Sequence, residues 1–166
     1  ATRLPFKDSS FDSAHAAWVF HLISDWRDVV AELLRVLRPA GKILVAAGSF
    51  RHDLSSELRD HFRDSAGITD WPRGPKGWEE LDAECARHGL NVRSLPEVSE
   101  QNVSTLADEI RALEEGVSSM TWGVDEANRK EAADAVREWA EASIGSLTEE
   151  RVFDHTHEWR AYELPK

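Results

Sequence analysis

From Leu4 to Val45 the spacing of apolar positions changes period twice without a gap. The run FDSAHAAWVFHLI, Phe11 to Ile23, has no Asp, Glu, Lys or Arg after Asp12 and is rich in small, β-branched and aromatic residues. That pattern predicts a strand covered on both faces inside a parallel sheet. Ser24 and Asp25 then offer an N-cap and a negative charge for a first helical turn. Trp26, Val29, Val30, Leu33, Leu34 and Leu37 follow at the three-and-four spacing of one helical face. Pro39 and Gly41 close that helix in a short turn, and KILVAAG, Lys42 to Gly48, begins a second apolar strand. One helix between two such strands predicts a right-handed crossover joining parallel neighbours.

Downstream the periods are weaker. Leu54, Leu58 and Phe62 predict a helix over His52 to Phe62, and WPRGPKG, Trp71 to Gly77, reads as a Pro/Gly-rich linker. Trp78, Leu81 and Cys85 mark a helix that ends before Gly89, with LNVRSLPEV as a short strand after it. Two more helices are expected, about Thr105 to Glu115 and about Glu126 to Ile144. From Val152 to Leu164, Phe153, His155, His157, Trp159 and Ala161 alternate with mostly polar neighbours, which predicts a closing antiparallel strand.

Composition narrows the class. With 166 residues and 41% hydrophobic content the chain can bury a core, and no apolar run approaches the roughly 20 residues that cross a bilayer. No signal-peptide pattern is present, and the single cysteine, Cys85, leaves no internal disulfide, so a single soluble domain of the cytoplasm is expected. A net charge of −11 argues against nucleic acid or an anionic membrane as partner and favours a small-molecule substrate.

Two segments carry a family resemblance. LPFKDSSFDSAHAAWVFHLISD followed by LLRVLRPAGKILV resembles the central region of the class I S-adenosylmethionine-dependent methyltransferases, in particular the small-molecule branch called methyltransferase type 11. In that family an LPF-x-D-x-x-FD lead-in, the fourth strand, a helix, a K/R-P-G-G turn and the fifth strand follow in this order. Ala40 stands where the family has the first glycine of the turn, which implies a turn that avoids a positive φ there. The family's glycine-rich cofactor loop and the acidic residue after its second strand have no counterpart. No GxGxxG-like run occurs in the sequence, and Ala1 follows the position where the family has an acidic residue facing the adenine.

The resemblance therefore implies an α/β chain holding a partial Rossmann-like sheet, with the family's strands four, five and six parallel, strand seven antiparallel and helices on its faces. Residues 1–166 would form one α/β domain, the C-terminal part of a methyltransferase domain. Residues 49–77 and 100–150 would be helical insertions capping the substrate side, since both leave from carboxyl ends of parallel strands, where ligands sit in open α/β sheets. S-adenosylmethionine is the implied cofactor. Ala1, Thr2 and Leu4 fall where the family forms its adenine pocket, and Ala17 and Trp18 lie beside the methionine part. His21, with an ordinary pKa of roughly 6.5, is a candidate base for an acceptor that must lose a proton.

Other candidates come from the residues themselves. Trp71 and Trp122, two of seven tryptophans, could wall an apolar acceptor pocket, with core packing as the plain alternative. His155 and His157 share one strand face, but the sequence places no third ligand beside them and no metal is expected. Cys85 lies on an apolar helix face, which favours an inert thiol.

The expected activity is methyl transfer to a small molecule, with these 166 residues alone inactive for want of the cofactor loop. A non-catalytic methyltransferase-like interaction module is the alternative, and a nucleotide-dependent oxidoreductase a third possibility that the LPF and RPAGK motifs disfavour. An unpaired flank on the fourth strand would invite a partner, so a homodimer is expected. Light scattering that shows a monomer at high concentration would refute it.

Overall fold

A computed structural model of the chain describes residues 1–48 and 53–165. The first strand, β1 (Phe11–Ala17), leads through a short 3₁₀ turn (Phe20–Leu22) into helix α1 (Trp26–Val36), and strand β2 (Leu37–Gly48) follows at once. Then come α2 (Leu54–Ser65), α3 (Trp78–Arg87), β3 (Asn91–Ser94), β4 (Val98–Thr105), α4 (Leu106–Glu114), α5 (Glu126–Ser143) and β5 (Glu150–Glu163). The helix expected from His52 begins at Leu54; His52 itself lies outside the described residues.

The chain divides into two compact units, residues 1–49, 72–99 and 156–166 in the first and residues 50–71 and 100–155 in the second. The second unit takes in most of the 49–77 and 100–150 segments. The first holds a mixed sheet in the order β1-β2-β5-β3. β1 pairs with β2 in parallel, and β5 runs antiparallel to both β2 and β3. Ala14 and Ala16 of β1 lie opposite Ile43 and Val45 of β2, and Ile43 lies opposite Tyr162 of β5. Small residues on β1 leave room for α1 and α3, which bury Trp26, Val29, Val30, Trp78, Leu81 and Cys85 against Ile43, Val45 and Tyr162. Each large side chain in this core contributes roughly 1.5–3 kcal/mol by leaving water.

Three expectations are corrected. The apolar run does not continue as a strand to Ile23: the strand ends at Ala17, because Trp18 takes a left-handed backbone (φ 55°) and the chain coils into the 3₁₀ turn. Nor is β1 covered on both faces. It pairs only with β2 among the described residues, and five of its seven residues are exposed. Its alanines resemble a buried strand but serve one packed face.

The third concerns Ala40, which has a positive φ of 61°. Arg38 to Gly41 bulge out of the β1–β2 pairing, since Phe11 lies opposite Leu37 and Ser13 opposite Lys42. The bulge is tied to the chain's end, where the Ala40 N–H donates to the Pro165 carbonyl at 3.1 Å and the Leu164 N–H donates to the Gly41 carbonyl at 2.9 Å. These bonds hold an alanine in a region that costs an L-residue about 1–2 kcal/mol.

In the second unit α2, α4 and α5 pack around Leu58, Phe62, Leu106, Ile110, Ala133 and Val136. The alanines of α5 allow close approach. Asp53, Thr105 and Asp125 cap the three helices through side-chain oxygens that accept from Ser56, Asp108 and Asn128 N–H groups. β4 lies in a stretch where the sequence predicted no strand. Its side chains are mostly polar and exposed, Val98 and Val103 included among the exposed ones, and it pairs with β5, with Gln101 Nε2 donating to Asp154 Oδ1 at 2.8 Å.

Candidate functional site

At the carboxyl end of β1 the backbone leaves regular structure, with Trp18 at a φ of 55°. Ala17 lies opposite Ala46, and the next N–H, that of Trp18, still donates to the Ala46 carbonyl at 3.0 Å. The left-handed turn at Trp18 then swings the chain away and leaves the indole 45% exposed. A non-glycine residue held in this region is strained, and such strain gathers at ligand sites. The indole stands edge-on to the His157 ring at 5.1 Å, and nearby strands stack His15 on Trp159 at 5.4 Å.

His21 sits in the 3₁₀ turn beyond this point, partly buried, and burial lowers its pKa from the ordinary 6.5. At neutral pH the imidazole is therefore uncharged and able to accept a proton. Its backbone is fixed from a distant segment: the His21 carbonyl accepts from the Arg73 N–H at 3.0 Å and the Gly74 N–H at 3.2 Å. A Cβ on Gly74 would lie 1.9 Å from the Phe20 carbonyl oxygen, so only glycine fits. The sequence marked Gly74 only as part of a linker. Its role depends on a neighbour more than 50 residues away in the chain, and no local pattern announces that.

Ala1 and Thr2 are exposed and Leu4 is partly buried. The Leu4 N–H donates to Glu32 Oε1 at 2.6 Å, and Arg35 donates to the Leu4 carbonyl at 3.3 Å and to Asp8 Oδ1 at 2.6 Å. Glu32 and Arg35, one turn apart on α1, thus hold both the Leu4 backbone and the Asp8 side chain of the LPFKD lead-in. Neither stood out in the sequence, although their three-residue spacing on a polar helix face was visible.

The first unit brings together Ala17, Trp18 and the turn bearing His21, with Leu4 pinned to α1. Trp71 and Trp122 belong to the second unit. Trp71 packs against its core, whereas Trp122 is 68% exposed after a 3₁₀ turn at Ser119–Thr121. Among the described residues no group of three or more His, Cys, Asp or Glu side chains is placed to hold a metal, and no helix is long and apolar enough to cross a membrane.

Residues 1–45 match the family described as a methyltransferase domain. The chain is 41% identical over 59 residues to the demethylmenaquinone methyltransferase of Renibacterium salmoninarum, covering 36% of this chain and 24% of that protein. It is 33% identical over 61 residues to the sterol 4-C-methyltransferase strm-1 of Caenorhabditis elegans, covering 37% of this chain and 18% of that one. The chain thus matches less than a quarter of the length of either curated relative. Among solved structures it resembles the YcgJ protein of Bacillus subtilis, with a TM-score of 0.61 and 17% identity over 99% of this chain and 68% of that one. It also resembles a candidate methyltransferase of Bacillus halodurans, with a TM-score of 0.59 and 15% identity over 99% of this chain and 75% of that one. Residues 1–45 thus carry the sequence signature of a methyltransferase domain, and the chain shares with these solved structures an α/β fold of mixed sheet and flanking helices.

Proposed function

We propose that the chain takes part in methyl transfer from S-adenosylmethionine to a small-molecule acceptor, with the cofactor at the carboxyl end of β1. The observation that carries this reading is the left-handed turn at Trp18, which leaves Ala17 and Trp18 exposed at the carboxyl end of β1, where ligands of open α/β sheets bind. In this assignment β1, β2, β3 and β5 are the family's fourth, fifth, sixth and seventh strands, and the second unit is an insertion into a single methyltransferase domain.

When bound, the cofactor supplies an electrophilic methyl group on a sulfonium centre. Ala17 and Trp18 would align its methionine part, and Ala1, Thr2 and Leu4 would face the adenine. His21, neutral at physiological pH, would take the proton released by an acceptor hydroxyl or amine. Trp122 offers an exposed aromatic surface to an apolar acceptor, and Trp71 supports the same unit from its core. The glycine-rich loop is not among these residues, so the 166-residue chain by itself is expected to be inactive. The acidic surface and the single buried thiol suit a cytoplasmic enzyme of small molecules.

A second reading, a non-catalytic interaction module, is favoured by the outer edge of β1. No strand pairs there among the described residues, and Phe6 and Phe11, in edge-on contact at 4.9 Å, are exposed beside it. An open edge of this kind supports a homodimer.

The test is methyl transfer by the full-length gene product from labelled S-adenosylmethionine, comparing wild type with His21→Asn across pH. The expected result is a loss of at least about 100-fold in kcat and of the acid limb of the pH profile. A variant with unchanged kcat and profile would remove His21 from the chemistry, and a wild-type protein inert toward every acceptor would favour the interaction module.

A further inference from the structure

We propose that a groove in the second unit, between α2 and α4, is a binding site for a small zwitterion with an apolar body, an α-amino acid of about leucine's size. The cavity measures about 170 Å³. That is below the roughly 300–1,000 Å³ of sites for drug-sized ligands, and it suits a molecule of few heavy atoms. Ser55, Leu58 and Arg59 line it from one face of α2, and Glu109, Ala112 and Leu113 line it at the same spacing from α4. Val117 and Ser118 complete the wall. The floor is aliphatic, and its polar groups comprise a guanidinium, a carboxylate and serine hydroxyls.

The partners of those polar groups point to the ligand. Among the described residues of this unit, Arg63 pairs with Asp60, Arg111 with Asp108, Arg137 with Glu114 and Asp134, and Arg151 with Glu149, while Arg129 donates to the Glu114 and Val124 carbonyls. Among the described residues, Arg59 engages only the Ser56 hydroxyl, at 3.3 Å, and Glu109 makes no ion pair. Two opposite charges that line one cavity without pairing are complementary to a molecule carrying both, its carboxylate toward Arg59 and its ammonium toward Glu109.

Ser55 is the independent sign of a ligand. It is 4% exposed, and its hydroxyl is buried with no hydrogen-bond partner among the described residues. Buried hydroxyls are normally bonded, and one left without a partner destabilises the fold. Ser55 lines the groove, and its hydroxyl is a donor from which a carboxylate bound there would accept. This assignment rests on the second unit alone and does not depend on the methyl-transfer reading.

The experiment is an NMR titration of the 166-residue protein with L-leucine, and with leucinamide and 4-methylpentanoate, which lack the carboxylate and the ammonium group respectively. Saturable leucine shifts confined to residues 55–59 and 109–118 are expected, with each half-ligand at least about tenfold weaker. Ser55→Ala should weaken leucine by about fivefold, the worth of one hydrogen bond, without lowering the melting temperature. Arg59→Gln should abolish the preference for leucine over leucinamide. The proposal is overturned if no α-amino acid in a panel including leucine binds saturably there, or if Ser55→Ala and Arg59→Gln bind as wild type does.

Discussion

The main-chain N–H of Leu4 donates to the Glu32 carboxylate at 2.6 Å and so ties the lead-in segment to the middle of α1. The Arg35 hydrogen bond and the Leu4 N–H both favour the ionised carboxylate and hold Glu32 down to about 2 from its ordinary 4.5. A depressed carboxylate contributes stability that is complete above its unfolded value and is lost as pH falls through the folded one. This contribution should therefore fade between about pH 4.5 and 2. Glu32→Gln, which cannot titrate, should show a smaller fall in urea midpoint on acidification than wild type. Parallel curves would show that Glu32 is not held as described.

Ala40 predicts a gain from a single substitution. With φ at 61°, replacement by glycine relieves the left-handed strain and should raise stability by about 1 kcal/mol, read from urea unfolding. Gly41→Ala is the opposite case. Its Cβ would lie 2.8 Å from the Arg38 carbonyl oxygen, so a loss of about 1–3 kcal/mol is expected. An Ala40→Gly protein less stable than wild type would contradict the bulge geometry.

Gly74→Ala tests how the His21 turn is held. A Cβ 1.9 Å from the Phe20 carbonyl forces backbone apart, and a loss of about 3 kcal/mol is expected together with a change in the His21 imidazole NMR signals. A variant of wild-type stability with unmoved signals would mean that residues 72–77 do not pack on this turn.

Cys85 should be silent to thiol reagents. It is 1% exposed, and burial, reinforced by Asp82, pushes its thiol up to about 12, so the reactive thiolate is scarce at neutral pH. Labelling should follow global unfolding and accelerate with urea. Rapid labelling in native buffer would show that α3 does not seal the core.

Local periodicity carried the central β1–α1–β2 unit well. Val29 and Val30, and Leu81 with Cys85, lie in the core at the spacing that announced their helices. What escaped depends on distant partners. The apolar residues after Ala17 read as strand, yet Phe20 is buried where Gly74 comes against it. The sequence SEQNVST has no apolar alternation, so β4 became visible only through its pairing with β5. Ala40 followed the same logic, because its conformation is set by hydrogen bonding to Pro165 at the other end of the chain. Of the candidate site, the motif placed Ala17 and His21 near the end of a strand, but Gly74, which packs on the His21 turn, and Glu32 and Arg35, which hold the Leu4 lead-in, are evident only in three dimensions.

Cofactor binding at the carboxyl end of β1 is tested most directly by calorimetric titration of the full-length gene product with S-adenosylhomocysteine, beside an Ala17→Trp variant. Ala17 is exposed at the strand's end, so the larger side chain can be accommodated by the fold. One-site binding by wild type, weakened at least about tenfold by Ala17→Trp, is the predicted result. Equal binding by both proteins would move the cofactor away from this strand, and no binding by wild type would contradict the methyltransferase reading itself.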